Sequence, residues 1–172
     1  MGEYGVGQSV PREEDPYLLR GAGRYVDDTA QIGMLRGYVL RSPHAHARIR
    51  SIYVTAARQM PGIVLALAGN DPAVTALGTQ KPNMPRKRRN GAPAFGCSQL
   101  ALARDTVRYI GEPVAFVVAE TLHQAKDAAE AIVVDYETLP AVPSLEEAIK
   151  PGARAVYDQC PDNIAFVHER TD

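Results

Sequence analysis

Two stretches of this 172-residue chain are apolar almost without interruption, Ile63 to Leu67 and Val114 to Ala119. Each reads as a strand covered on both faces. Leu35 to Arg41 and Ala47 to Val54 alternate as half-buried strands do. In the second, Ile49 falls on one face, and Arg48, Arg50 and Ile52 fall on the other. Val107 and Tyr109 predict a short strand before the turn Gly111-Glu112-Pro113, and Ile132 to Tyr136 predicts another. Helix signals lie between them. Thr55 is placed to cap a short helix through Met60, ended by Pro61-Gly62. Asp71 is placed to accept the free N–H groups of a helix that Pro72 starts. Thr121 and Gln124 form a capping-box pattern for a helix to about Ala131, with Leu122, Ala125, Ala129 and Ile132 at helical spacing. Ser144 and Glu147 repeat the pattern before a helix that Pro151-Gly152 ends.

The remaining segments are irregular. Residues 1–16 read as an extended arm in which Pro11 and Pro16 exclude regular helix. Tyr17 to Arg20 suits one turn of helix, and Tyr25 to Asp28 suits an extended piece leading into a turn. Residues 78–99 hold several prolines, few apolar side chains and the basic residues Lys81, Arg86, Lys87, Arg88 and Arg89. A loop of that length is either mobile or pinned by something outside the chain. Residues 153–172 have weak periodicity and suit a connecting segment. The expectation is an arm (1–16), a mixed α/β (α+β) body (17–152) and a connector (153–172).

Composition narrows the function classes. The chain is 45% hydrophobic and 23% charged with a net charge of −1, so no global charge invites nucleic acid or a membrane surface. No tryptophan is present, and a core of Val, Ile, Leu and Ala is expected. No apolar run approaches the roughly 18–20 residues that span a bilayer. Met1 to Val10 lacks the apolar core of a signal peptide, which points to a reducing cytoplasm and against a Cys97–Cys160 disulfide.

Candidate chemistry is sparse. His44 and His46 have chelate-like spacing, but a third ligand is missing, and a hydrogen-bonded turn between strands is the simpler reading. Gly21-Ala22-Gly23 lacks the third glycine and the helix of a dinucleotide fingerprint. The pairs Glu13/Glu14, Asp27/Asp28 and Glu146/Glu147 are sequence neighbours, so turn stabilisation outweighs shared catalysis. The basic run 81–89 carries five charges in nine residues without an interleaved aromatic, which argues against nucleic acid and for a solvated or partner-packed loop. No catalytic, cofactor-binding or metal-ligating residue is assigned.

Five motifs form an ordered series. They are Pro11 to Asp28 (PREEDPYLLRGAGRYVDD), Arg41 to Ile49 (RSPHAHARI), Ala57 to Ile63 (ARQMPGI), Val107 to Ala115 with Val118 to Thr121 (VRYIGEPVA, VAET), and Val134 to Val142 (VDYETLPAV). The series resembles the opening of the large, molybdenum-binding subunit of the xanthine oxidase family, which includes aldehyde oxidoreductases and aerobic carbon monoxide dehydrogenases. The resemblance covers nearly the whole chain and implies the α/β hammerhead fold, with mixed sheets and short packed helices. Tyr53 departs from the acidic residue usual there, and the basic loop 81–89 is outside the common pattern.

The resemblance further implies an assembly role within an oxidoreductase acting on aldehydes, N-heterocycles or carbon monoxide. The molybdenum-pterin dinucleotide and catalytic residues are implied to lie in the rest of that subunit, beyond Asp172. Iron–sulfur clusters and FAD are implied in partner subunits or domains. Two alternatives stay open: a separate small subunit completing a split enzyme, and a nucleic-acid module using the basic loop.

Overall fold

The computed structural model describes Gly7, residues 11–80 and residues 86–169. Most of the first ten arm residues, Lys81 of the basic run, and Arg170 to Asp172 lie outside the described residues. The chain divides into two compact units, Met1–Met34 and Leu35–Asp172.

In the first unit, helix α1 spans Asp15–Leu18, earlier than the pattern predicts. Pro16 sits in the opening turn, where its missing N–H costs no helical hydrogen bond. Val26–Asp28 is a 3-10 turn and not an extended piece. The Asp28 carboxylate accepts from the Tyr25 N–H at 2.9 Å, the turn role expected for this acidic pair.

The second unit contains β1 (Arg36–Arg41), β2 (Ala47–Tyr53), α2 (Thr55–Arg58), β3 (Ile63–Ala68), α3 (Pro72–Thr75), β4 (Thr106–Val107), β5 (Pro113–Ala119), α4 (Leu122–Glu130), β6 (Val133–Thr138) and α5 (Leu145–Ala148). They form two three-stranded sheets, ordered β1-β5-β3 and β4-β2-β6. Every pairing between these strands is antiparallel. The strand–helix–strand runs β2-α2-β3 and β5-α4-β6 therefore each leave one sheet and enter the other.

Two capping expectations change. Thr55 has already entered α2, and Val54 is the N-cap. The Asp71 carboxylate makes no cap hydrogen bond. It accepts from the Ala68 N–H at 2.7 Å and from the Arg58 guanidinium at 3.1 and 3.2 Å. Arg58 Nε also donates to the Ala66 carbonyl at 2.9 Å, so one arginine clamps the end of β3. The Thr121–Gln124 capping box forms in both directions, with N–H···O distances of 3.2 and 3.0 Å. At α5, Ser144 Oγ accepts from the Glu147 N–H, but its hydroxyl donates to Glu146, and the reciprocal half is missing.

Alanine dominates the buried core. Ala125, Ala128 and Ala129 of α4 meet Ala66, Ala68, Ala115, Val117 and Ala119 of the first sheet. Methyl-sized side chains on both sides let the helix axis approach the strands closely, at packing density that leaves no spare volume. Leu122, expected on this face, is 44% exposed. A smaller cluster of Ala47, Ile49, Ala103, Val107 and Val114 joins the main one through Leu40, Ile52 and Val134.

The two faces of β2 do not follow simple alternation. Ile49 pairs with Tyr136 and Ser51 with Asp135, so Arg50 is an extra residue, a β-bulge. The bulge reverses the alternation and turns Ile52 to the side of Ile49. Arg48 and Arg50 both reach Glu137, at 3.3 and 3.5 Å.

Neither continuous apolar run is covered on both faces: in β5, Ala115, Val117 and Ala119 are buried beneath α4, but Phe116 and Val118 on the other face are only half-buried. β3 is an edge strand, with Val64 57% and Leu65 41% exposed. Opposite α4, Val39, Phe116 and Leu67 lie in register across the first sheet. They floor an open apolar depression of about 270 Å³, edged by Leu77, Ala101 and Pro113.

The loop 78–99 is pinned from within the chain. Gln80 bridges Gln99, and Lys87 bridges both Pro93 and Val167. Phe95 donates to the Ala165 carbonyl at 2.8 Å. Residues 162–167 thus serve as the partner that local sequence could not supply.

Two substitutions test this packing. Ala128→Leu should lower stability by about 1–3 kcal/mol, since a fully buried alanine has no space for three more carbons. Gly69→Ala should cost at least as much, because a Cβ there would lie 2.1 Å from the Ala103 carbonyl oxygen. Urea denaturation reads both, and stability within about 0.5 kcal/mol of wild type would refute the close-packing account.

Candidate functional site

The second and fourth motifs meet in space. The Ser42 N–H donates to the Glu112 carbonyl at 2.9 Å, and the Gly111 N–H returns to the Ser42 carbonyl at 2.8 Å. Arg41 Nη1 donates to the Gly111 carbonyl at 2.8 Å, and Glu112 accepts from the Arg108 N–H at 2.5 Å. Ser42 is 2% exposed, and its hydroxyl oxygen closes the turn by accepting from the His44 N–H at 3.0 Å. The His44 ring packs edge-on against Tyr136, centroids 4.8 Å apart. Burial pushes the Tyr136 phenol above its usual range, opposed in part by Ser42. His46 Nδ1 lies 2.9 Å from the Pro140 carbonyl, and the Leu139 N–H donates to the His46 carbonyl at 2.9 Å. These contacts tie the second motif to the fifth. The third and fourth join in the same way, the Glu120 N–H donating to the Gly62 carbonyl at 2.9 Å. The histidines hold a turn and do not converge on a ligand set.

The other candidates are also dispersed. His123 lies on α4. Both cysteines are free thiols, and Cys160 is buried, its pKa raised first by desolvation and then by Asp162. Arg88 pairs with Asp162, and Arg86 lies over the Phe166 ring at 5.9 Å. Among the described residues no group of three His, Cys, Asp or Glu is placed to hold a metal ion, and no helix is long and apolar enough to cross a membrane.

Several concavities lie among the described residues, three of them beside the motifs or the open sheet face. One is the apolar depression on the open sheet face. A second, of about 250 Å³, lies between Ala45 and His46, Tyr109 and Ile110, and Val142 and Pro143. The third, of about 430 Å³, contains two arginines, Arg104 and Arg108. Sequence reasoning missed it, because Arg104 and Arg108 lack any motif and are joined to Phe95 and Tyr157 only by the fold.

A family profile described as "Aldehyde oxidase and xanthine dehydrogenase, a/b hammerhead domain" matches residues 20–140. The chain belongs to this family. The hammerhead chain is 36% identical over 164 residues to the nicotine 6-hydroxylase large subunit of Paenarthrobacter nicotinovorans, covering 94% of this chain and 19% of that protein. It superposes on quinoline 2-oxidoreductase from Pseudomonas putida 86 with a TM-score of 0.70 and 42% identity, over 84% of this chain and 18% of the other. A structure named Cu,Mo-CO dehydrogenase gives a TM-score of 0.71 and 34% identity, over 97% of this chain and 20% of that one. The hammerhead chain thus spans about one fifth of the length of the relatives it matches.

Family members use a molybdenum cofactor, and the described residues gather no set of side chains placed to hold a metal ion. Their possible donors form no three-residue cluster, and the motif histidines are engaged in turns. No chemical step is derived through such a group.

The Arg88–Asp162 pair gives the hammerhead chain a pH-dependent contact. Arg88, then the Ile164 N–H, hold the Asp162 carboxyl below the usual carboxylate range. A folded pKa below the unfolded one means the contribution is complete at neutral pH. It is lost as pH falls through the lowered folded value, below about pH 4. Amide protection factors in residues 86–95, which divide out the intrinsic pH dependence of exchange, should therefore fall below about pH 4, and Asp162→Asn should show that lower protection already at neutral pH. Unchanged exchange in the variant would refute the anchoring role.

Proposed function

We propose that this chain is an assembly domain of a molybdenum hydroxylase, an oxidoreductase acting on an aldehyde, an N-heterocycle or carbon monoxide. Its own residues supply structure, and the reacting centre lies in the remainder of the large subunit. The observation that carries the reading is the open sheet face: a depression floored by Val39, Phe116 and Leu67, in a chain that matches one fifth of its relatives. Apolar surface of this kind gains free energy when another body covers it. The first unit has the same character, with Leu19, Val26 and Ile32 almost fully exposed. Iron–sulfur and flavin subunits complete the proposed enzyme, bringing iron–sulfur clusters and FAD, and the free thiols suit a cytoplasmic setting. When bound in the remainder of the subunit, the molybdenum-pterin group supplies the redox chemistry. A nucleic-acid role for the basic loop has weaker support, since Arg86 and Arg88 already face Phe166 and Asp162.

The purified chain should show no dye-linked oxidation of aldehydes, N-heterocycles or carbon monoxide. Turnover by the chain alone would sink the proposal. Leu77→Asp should change stability by less than about 0.5 kcal/mol, because the side chain is 71% exposed. The same change should reduce co-purification with the remainder of a large subunit expressed in trans at least several-fold. Undiminished association would show that this face is not the one covered.

A further inference from the structure

We propose that the 430 Å³ pocket beside the basic loop binds a small monoanionic carboxylate with a flat apolar body. It shares no lining residue with the apolar depression, so the inference does not rest on the assembly reading. Arg104 and Arg108 both line it, and neither appears in any ion pair among the described residues. Arg104 Nε is buried without a hydrogen-bond partner, and Nη2 reaches only the Thr75 carbonyl at 3.5 Å. An unpaired donor on a charged group in the interior is costly, and it leaves the Arg104 guanidinium short of acceptors.

Arg108 is fixed in advance. Its Nε donates to the Val156 carbonyl at 3.2 Å, Nη1 to the Thr106 carbonyl at 3.4 Å, and the guanidinium lies 4.5 Å from the Tyr157 ring centroid. Holding the planar fork in place removes much of the entropy that would oppose capture of a planar anion. Asp105 also lines the pocket, so two cations and one carboxylate leave a single net positive charge. That balance suits a monoanion better than a doubly charged phosphate. Phe95, Leu100 and Tyr157 supply apolar wall, with the Phe95 and Tyr157 rings 5.4 Å apart. The volume lies within the range of small-molecule sites, about 300–1,000 Å³.

The test is a two-dimensional NMR titration of the 172-residue chain with benzoate, with neutral benzamide as the matched control. Benzoate should give saturable shifts at the backbone amides of residues 95–108 and 157–159, and benzamide should bind about ten-fold more weakly or worse. Arg104→Gln should weaken benzoate by about ten-fold, and Arg104→Lys, which keeps the charge and loses the fork, by an intermediate factor. The comparison of benzoate with benzamide needs no variant, so it stands even if Arg104→Gln fails to fold. Equal binding of the two probes, or no saturable benzoate shifts, would overturn the proposal. The latter result would also be the one expected if the pocket instead receives a carboxylate side chain from another polypeptide.

Discussion

Everything else in the second unit depends on how closely α4 lies on the first sheet. Ala125, Ala128 and Ala129 share one buried cluster with Ala66, Ala68, Ala115, Val117 and Ala119, and Tyr38 and Leu40 of β1 pack against it. Small side chains bury little apolar area each, so the stabilisation comes from near contact of backbone-bearing elements and the dispersion it permits. The Thr121–Gln124 box fixes where the helix starts, and Gly62, at a φ of +77°, makes the tight turn that brings β3 alongside β5 beneath it. With that distance set, β5 becomes the central strand and the edges fall to β1 and β3.

The second sheet is tied to the first by shared core residues and by one irregularity. Without the bulge at Arg50, Ile52 would share the Arg48 face, and the core would lose a link between its two clusters. The bulge converts a strand with a mixed face into one with a usable apolar side, and Arg48 and Arg50 on the other side converge on Glu137. Both are well exposed, so that pair steers register more than it adds stability.

The motif residues make structural sense as pairs of turns. Ser42 and Gly111 exchange backbone hydrogen bonds, His46 joins Pro140, and Gly62 joins Glu120. Each of the last four motifs supplies a turn whose backbone groups need partners, and another of the four supplies them. A chain organised in this way presents ordered surfaces: an apolar face on the first sheet and an arginine-lined pocket beside the basic loop.

The sequence by itself determined most element types and positions, the Thr121 cap and the family, because periodicity, capping and motif order are local properties written in consecutive residues. It misjudged β3, whose apolar run looks the same at an edge as at a centre, and Asp71, whose carboxylate a distant Arg58 and the Ala68 N–H claim in place of the cap. It also misplaced the partner of loop 78–99: Lys87 bridges Val167, 80 residues further along the chain. Only the tertiary structure decided that β2 and β3, neighbours across α2, enter different sheets, and that Arg104 and Arg108 share a pocket with Phe95 and Tyr157. Strand pairing and pocket formation are choices among distant segments with similar local patterns, and the choice is made by which packing excludes water and satisfies the backbone for the whole chain at once.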